Sequence, residues 1–148
     1  MLKETLQVLF ERDLKKLKSE LESYKNESNI WKTDKSISNS AGNICLHLIG
    51  NLNGFVGAQL GNTGFIRQRE LEFSSKSIPR VDLLIEIDKT MVMLDQTILK
   101  VTNEQLEAEY PILVFKQNTS TYYFFIHLTT HLAYHLGQIN YHRRLLDE

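Results

Sequence analysis

The apolar positions of this chain recur at helical spacing over most of its length. In the N-terminal segment, from about Leu2 to Tyr24, lysine and glutamate fill one face. Apolar residues three and four positions apart form the opposite stripe: Leu6, Phe10, Leu14, Leu17 and Leu21. Because an α-helix has about 3.6 residues per turn, this spacing places the stripe on a single face. We therefore predict a first amphipathic helix here.

Three further segments show helical periodicity. The second predicted helix begins at Asn39 or Ser40, either of which can cap it, and continues to about Leu60. The third runs from Pro79 to Lys100, and proline is a favoured first-turn residue. The last begins near Ser120 and extends to the end of the sequence. Helices of this length, joined by polar segments, are typical of a bundle.

The segments between the helices are polar or irregular. Residues 65–77, with the sequence FIRQRELEFSSKS, are predicted to be a polar loop. Residues 109–120 (EYPILVFKQNTS) contain Pro111, which disfavours helix, and β-branched residues that allow a short strand. The sequence therefore predicts an all-α fold. It forms a single four-helix-bundle domain over residues 1–148, with an irregular or short extended segment before the last helix.

Charge and hydropathy limit the classes of function. The chain has 17 basic and 18 acidic residues, so its net charge of −1 produces no field that attracts nucleic acid. No apolar stretch reaches the roughly 18 residues that a membrane-spanning helix needs. The N-terminal sequence MLKETLQVLFERDLKK mixes charged and apolar residues, unlike a secretory signal. We expect a cytoplasmic protein that binds neither nucleic acid nor membrane.

Candidate chemistry is concentrated in the last helix, which holds four of the five histidines. His127, His131 and His135 recur every four residues, and neighbours at this spacing share a helix face and can bind one metal ion. His142 falls in the same helical arc. Spacing alone does not decide between the pairs His127/His131 and His131/His135, or exclude ordinary histidines of a half-buried face. The remaining histidine, His47, lies on the core stripe of the second helix and is the natural third ligand in a bundle.

Three stretches of the sequence resemble a known superfamily. They are residues 39–52 (NSAGNICLHLIGNL), 61–70 (GNTGFIRQRE) and 131–139 (HLAYHLGQI). In this order they are similar to the DinB-like superfamily, and within it to the small DUF1572-type bacterial branch. The resemblance implies a four-helix bundle whose metal site uses one histidine of the second helix and the His-x3-His pair of the last. Those residues are His47, His131 and His135.

The resemblance also implies a chemistry. It implies one divalent metal ion, zinc or nickel first and iron or manganese next, with an open coordination position. Characterised relatives include transferases and isomerases that use low-molecular-weight thiols such as bacillithiol, so we expect a small-molecule substrate of this kind. It also implies a homodimer. The alternatives are metal-dependent hydrolysis and a non-enzymatic metal-binding or stress-related module. His127 is then expected beside the ligands or in the pocket, with an additional ligand or a core residue as the other interpretations.

Other residues are candidates for supporting roles. Arg67 and Arg69 are expected to bind an anionic substrate group at the mouth of the site, against the alternative of a solvated loop. Gln138 can either orient a ligand or bridge helices. The second and last helices present no acidic residue within a turn of the three expected ligands, so the sequence predicts no general base. Glycines at spacings of four and three predict a close approach of a neighbouring helix: Gly50, Gly54 and Gly57.

Overall fold

Four long helical segments lie side by side in the computed structural model, which describes residues 1–148. The helices are α1 (Leu2–Glu22), α2 (Ala41–Leu52), α3 (Gln59–Gly61), α4 (Arg69–Ser74), α5 (Arg80–Lys100), α6 (Asn103–Glu107) and α7 (Thr121–Leu146). A π-helical stretch, Asn53–Ala58, joins α2 to α3 without a break, and a 3-10 turn spans Glu27–Trp31. The fold is all-helical and contains no β-strand, which confirms the predicted fold class.

The predicted starts of the long helices agree with the structure. The Ser40 side chain accepts a hydrogen bond from the backbone N–H of Asn43, and the Ser120 side chain accepts one from the N–H of Tyr123. These bonds satisfy amide groups that the first helical turn leaves unpaired. Pro79 directly precedes α5. Local chemistry therefore marks these three starts, with side-chain caps at Ser40 and Ser120 and a proline at the start of α5.

A single hydrophobic core joins the long helices. It contains 26 buried apolar residues, and the predicted stripe of α1 lies entirely within it. The α1 helix packs against α5 and α7, while α2 packs against α4, α5 and α7. No helix combines the length and the apolar character that a membrane crossing requires. Because α2 packs directly on α7, residues on the facing sides of these two helices lie close together.

The two connecting segments differ in how well the sequence predicted them. Residues 109–120 are irregular, with one isolated β-bridge between Glu109 and Ser120, in agreement with the prediction. The polar loop predicted for residues 65–77 is wrong in part, because α4 forms within it and buries Glu72. The side-chain amide of Asn43 donates hydrogen bonds to the carbonyls of Glu72 and Ser75. Asn43 lies in α2, far from Glu72 in the sequence, so the local hydrophobic pattern could not predict this contact.

Candidate metal centre

The α2 helix carries one histidine into the core. His47 is 8% exposed, because α2 lies against α4 on one side and α7 on the other. Its ring centroid is 5.2 Å from that of Phe73 in α4 and 5.2 Å from that of His131 in α7. The imidazole is therefore held between two elements that are far apart in the sequence.

The α7 helix supplies two more imidazoles from adjacent turns. His131 and His135 are half-buried, and their ring centroids are 4.5 Å apart. Burial, together with repulsion from the neighbouring histidines and Arg67, lowers the pKa of His131 from 6.5 to about 4. Burial also lowers the pKa of His135. Both rings are therefore neutral near pH 7, the state in which imidazole binds metal ions.

The three histidines converge on one point. One nitrogen from each of His47, His131 and His135 lies within 4.8 Å of the other two. The Nε2 atoms of His47 and His131 are 3.3 Å apart. Ligand nitrogens of a tetrahedral ion, bound at about 2.0–2.1 Å, are separated by about 3.3–3.4 Å. The donor set and its spacing fit a divalent ion, and three protein ligands leave a position open.

A buried ion pair fixes the orientation of His47. Nδ1 of His47 lies 3.0 Å from Oε1 of Glu72, and Arg67 donates to both carboxylate oxygens of Glu72 at 2.8 and 2.9 Å. Burial alone would raise the pKa of Glu72, but the hydrogen bonds from His47 and Arg67 outweigh it and the pKa is lowered. Because a carboxylate only accepts, Nδ1 of His47 carries the hydrogen and Nε2 keeps its lone pair.

Glycines of the α2 segment make room for this ion pair. A Cβ atom on Gly50 would lie 2.0 Å from Oε2 of Glu72, and one on Gly54 would lie 3.2 Å from Cδ of Arg67. The predicted close approach is therefore made by side chains at these two positions rather than by a helix backbone. Glu72 is the residue of the candidate site that sequence reasoning missed. The spacing of the glycines was the one local signal of a group packed against α2.

The second candidate ligand of α7, His135, also contacts an acceptor. Nδ1 of His135 lies 2.7 Å from Oε1 of Gln138, one turn further along α7. Since the amide oxygen only accepts, Nδ1 carries the hydrogen and Nε2 keeps the lone pair that can bind a metal ion. Gln138 also donates to the hydroxyl of Tyr134 at 3.3 Å. Of the two roles considered for Gln138, the structure thus shows the contact with a histidine of its own helix.

His127 lies beside the convergent histidines but outside the group. Its ring centroid is 6.0 Å from that of His131, 4.8 Å from that of Phe115 and 5.9 Å from that of Phe124. Burial lowers its pKa, and its ring nitrogens make no hydrogen bond to another residue. The ring therefore sits against an aromatic wall, one turn from the nearest candidate ligand.

The other charged and imidazole candidates occupy different positions. Arg67 lies in the exposed loop of residues 62–68, but its own side chain is half-buried in the pair with Glu72. Arg69 is exposed, and its guanidinium lies 5.5 Å from the ring centroid of Phe73. His142 belongs to a separate buried cluster near the end of α7, where its nitrogens contact Tyr24 and Lys32. Helical spacing alone placed His142 on the same arc as the convergent histidines, so it could not show that His142 belongs to a different cluster.

Comparison with known proteins places the chain in a family. Residues 3–148 match the family described as protein of unknown function (DUF1572). No curated protein shows significant sequence similarity to the chain. The match spans both histidine-bearing helices and the Arg67–Glu72 segment. The chain therefore belongs to the DUF1572 family.

Proposed function

We propose that this protein binds one divalent metal ion through His47, His131 and His135. The observation that carries the proposal is the 3.3 Å separation of the two Nε2 atoms of His47 and His131, with His135 adjacent. Neutral imidazoles accept several ions, with zinc or nickel preferred and iron or manganese as alternatives. Glu72 and Gln138 support this interpretation, since each accepts a hydrogen from the ring nitrogen remote from the proposed ion.

The proposed activity is that of a metal-dependent enzyme, most concretely a transferase that uses a low-molecular-weight thiol such as bacillithiol. A bound ion would supply Lewis acidity that lowers the pKa of a thiol in the open position. Supporting this choice, both oxygens of Glu72 are held by Arg67, so this carboxylate is poorly placed to act as a base toward water. The proposal includes the DinB-like relationship and a cytoplasmic location, where small thiols are reduced.

Arg69 and Arg67 take different parts in the proposed site. Arg69 is the exposed cation beside Phe73, whose ring packs on His47, and we assign it to contact an anionic group of the substrate. The Arg67 guanidinium is committed to Glu72 and lies 3.3 Å from Nδ1 of His47. It acts by holding the carboxylate that orients His47.

The competing functions are a metal-dependent hydrolase and a non-enzymatic metal-binding or stress-related module. The observation relevant to the second is His127, whose ring lies 6.0 Å from that of His131. A shift that made His127 a fourth ligand would close the site. Replacing His127 with alanine should leave the metal content unchanged and alter thiol binding. Metal loss as large as that of His131→Ala would favour the closed, non-enzymatic site.

Cobalt substitution tests the proposed function directly. The cobalt-loaded protein is titrated with bacillithiol and, in parallel, with its S-methyl derivative as a matched ligand without a thiol. We expect sulfur-to-cobalt charge-transfer bands with the thiol alone, and none with the His131→Ala variant. If the spectrum of the fully cobalt-loaded protein does not change on adding the thiol, the result contradicts thiol transfer and favours the non-enzymatic function.

A homodimer is also proposed, formed by the outer face of α5. That face exposes apolar side chains at spacings of four and seven: Val81, Ile85, Val92 and Leu99. Asp82 and Lys100 flank it near opposite ends of the helix, so an antiparallel pair would place opposite charges together. Light scattering after size exclusion should give twice the 17.2 kDa chain mass, and Val92→Glu should give a monomer. A wild-type monomer at micromolar concentration would contradict the dimer.

A further inference from the structure

Two buried side-chain atoms in this chain have no hydrogen-bond partner: Oδ1 of Asn51 and Nδ1 of His131. Asn51 lies on α2 and is 6% exposed, and its side-chain amide makes no hydrogen bond at all. Buried polar groups are rarely left unpaired, because each loses its contacts with water without replacement. Asn51 lies on α2 and His131 on α7, the two helices of the proposed metal site. We therefore looked for a single cause of both unpaired atoms.

Asn51 lies on the face of α2 that packs on α7. One turn before Asn51, His47 contacts His131, and one turn after it, Phe55 packs on Phe124 with ring centroids 5.1 Å apart. The two helices therefore run antiparallel, and Asn51 lies opposite the part of α7 between Phe124 and His131. His131 borders this part of α7 and faces α2 through its contact with His47.

The unpaired atoms are chemically complementary once His131 binds a metal ion through Nε2. The neutral ring then carries its hydrogen on Nδ1, a donor that needs an acceptor. His47 and His135 already have such acceptors in Glu72 and Gln138. Metal-binding histidines nearly always donate their remaining ring hydrogen in this way. His131 alone lacks an acceptor, and the Asn51 oxygen alone lacks a donor.

We propose that Asn51 is the positioning residue of His131, accepting the Nδ1 hydrogen in the metal-bound protein either directly or through one water molecule. The contact fixes the tautomer of His131 and directs its Nε2 lone pair to the other two histidines. This inference rests on the proposed metal binding.

Zinc affinity, measured by competition with a chromophoric chelator, tests the role of Asn51. Asn51→Leu removes the acceptor and should weaken zinc binding by about tenfold. Asn51→Asp keeps an acceptor and should bind zinc at least as tightly as the wild type. Asn140→Leu, which loses a contact with Glu20 elsewhere on α7, is the control and should leave the affinity unchanged. Wild-type affinity in Asn51→Leu, or equal weakening in Asn51→Asp, would overturn the inference.

Nitrogen-15 spectra of the zinc-loaded wild type give a second readout that needs no variant to fold. We expect the Nδ1 hydrogen of His131 to be visible, shifted downfield and slow to exchange. Rapid exchange in the wild type would overturn the inference while leaving metal binding intact. A wild-type protein that binds no zinc, nickel, iron or manganese would instead overturn the proposed function, and the inference with it.

Discussion

Two buried regions of α7 each contain a histidine, and the ring nitrogens of these two histidines have different partners. At His142 both ring nitrogens have protein partners: Nδ1 accepts from the Tyr24 hydroxyl at 2.6 Å, and Nε2 donates to the Lys32 carbonyl at 2.9 Å. At His131, Nδ1 has no partner and Nε2 faces the Nε2 of His47. Burial lowers the pKa of both residues. Charge state therefore does not distinguish a structural histidine from a proposed ligand, whereas the partners of its nitrogens do.

The largest expected effect is the loss of metal from one region but not from the other. Replacing His47, His131 and His135 together with alanine should reduce the metal content from about one ion per chain to none, since three ligands define the site. Elemental analysis measures the content, and circular dichroism should still show a helical protein. His142→Ala is the control and should retain its metal. Metal retained by the triple variant would refute the assignment of the ligands.

Removing the carboxylate that orients His47 should weaken the site without abolishing it. Glu72→Gln replaces a charged acceptor with a neutral amide and leaves Arg67 without its partner, so metal affinity should fall by about 10- to 100-fold. Isothermal titration measures the affinity. Glu70→Gln, at an exposed position of the same short helix, should behave as wild type. Equal affinities for the two variants would mean that Glu72 has no part in metal binding.

The effects on stability should be reversed: replacing His142 should lower the free energy of unfolding more than replacing His135. In metal-free protein, His142→Ala leaves a core cavity and removes the partners of the buried Tyr24 hydroxyl and of the Lys32 carbonyl. The free energy of unfolding should therefore fall by about 2–4 kcal/mol. His135→Ala should cost less than about 1 kcal/mol, because His135 is half-exposed and bonds only a residue of its own helix. Urea unfolding measures both values. A larger loss at His135 would show that the convergent histidines also stabilise the fold.

The smallest expected effect is on how the free energy of unfolding depends on pH. Burial lowers the pKa of His131 in the folded protein from 6.5 to about 4, so between these values the unfolded chain binds more protons. The stability that a neutral His131 contributes is complete above pH 6.5 and is lost as the pH falls toward 4. For metal-free protein, His131→Gln should therefore reduce the slope of unfolding free energy against pH in this window. An unchanged slope would assign the pH dependence to other groups, His142 among them.

Local patterns were sufficient for much of this molecule. The apolar stripe of α1 and the caps Ser40 and Ser120 depend on neighbours within a few residues, so they can be read from the chain. Two candidate ligands, His131 and His135, share a face for the same reason. The choice of this pair over His127/His131 needed more than spacing, and the family resemblance supplied it.

The remaining features depend on contacts between distant parts of the chain. Glu72 lies in a segment with no helical periodicity, and its burial depends on Asn43, Gly50 and Arg67. His142 shares the helical arc of His131 but meets Tyr24 and Lys32, whereas His131 meets His47. The sequence by itself determined where the long helices form and which side chains can bind metal, because both follow from local spacing and side-chain chemistry. Only the tertiary structure decided which nitrogens are paired and which face one another, because that depends on helices brought together across the core.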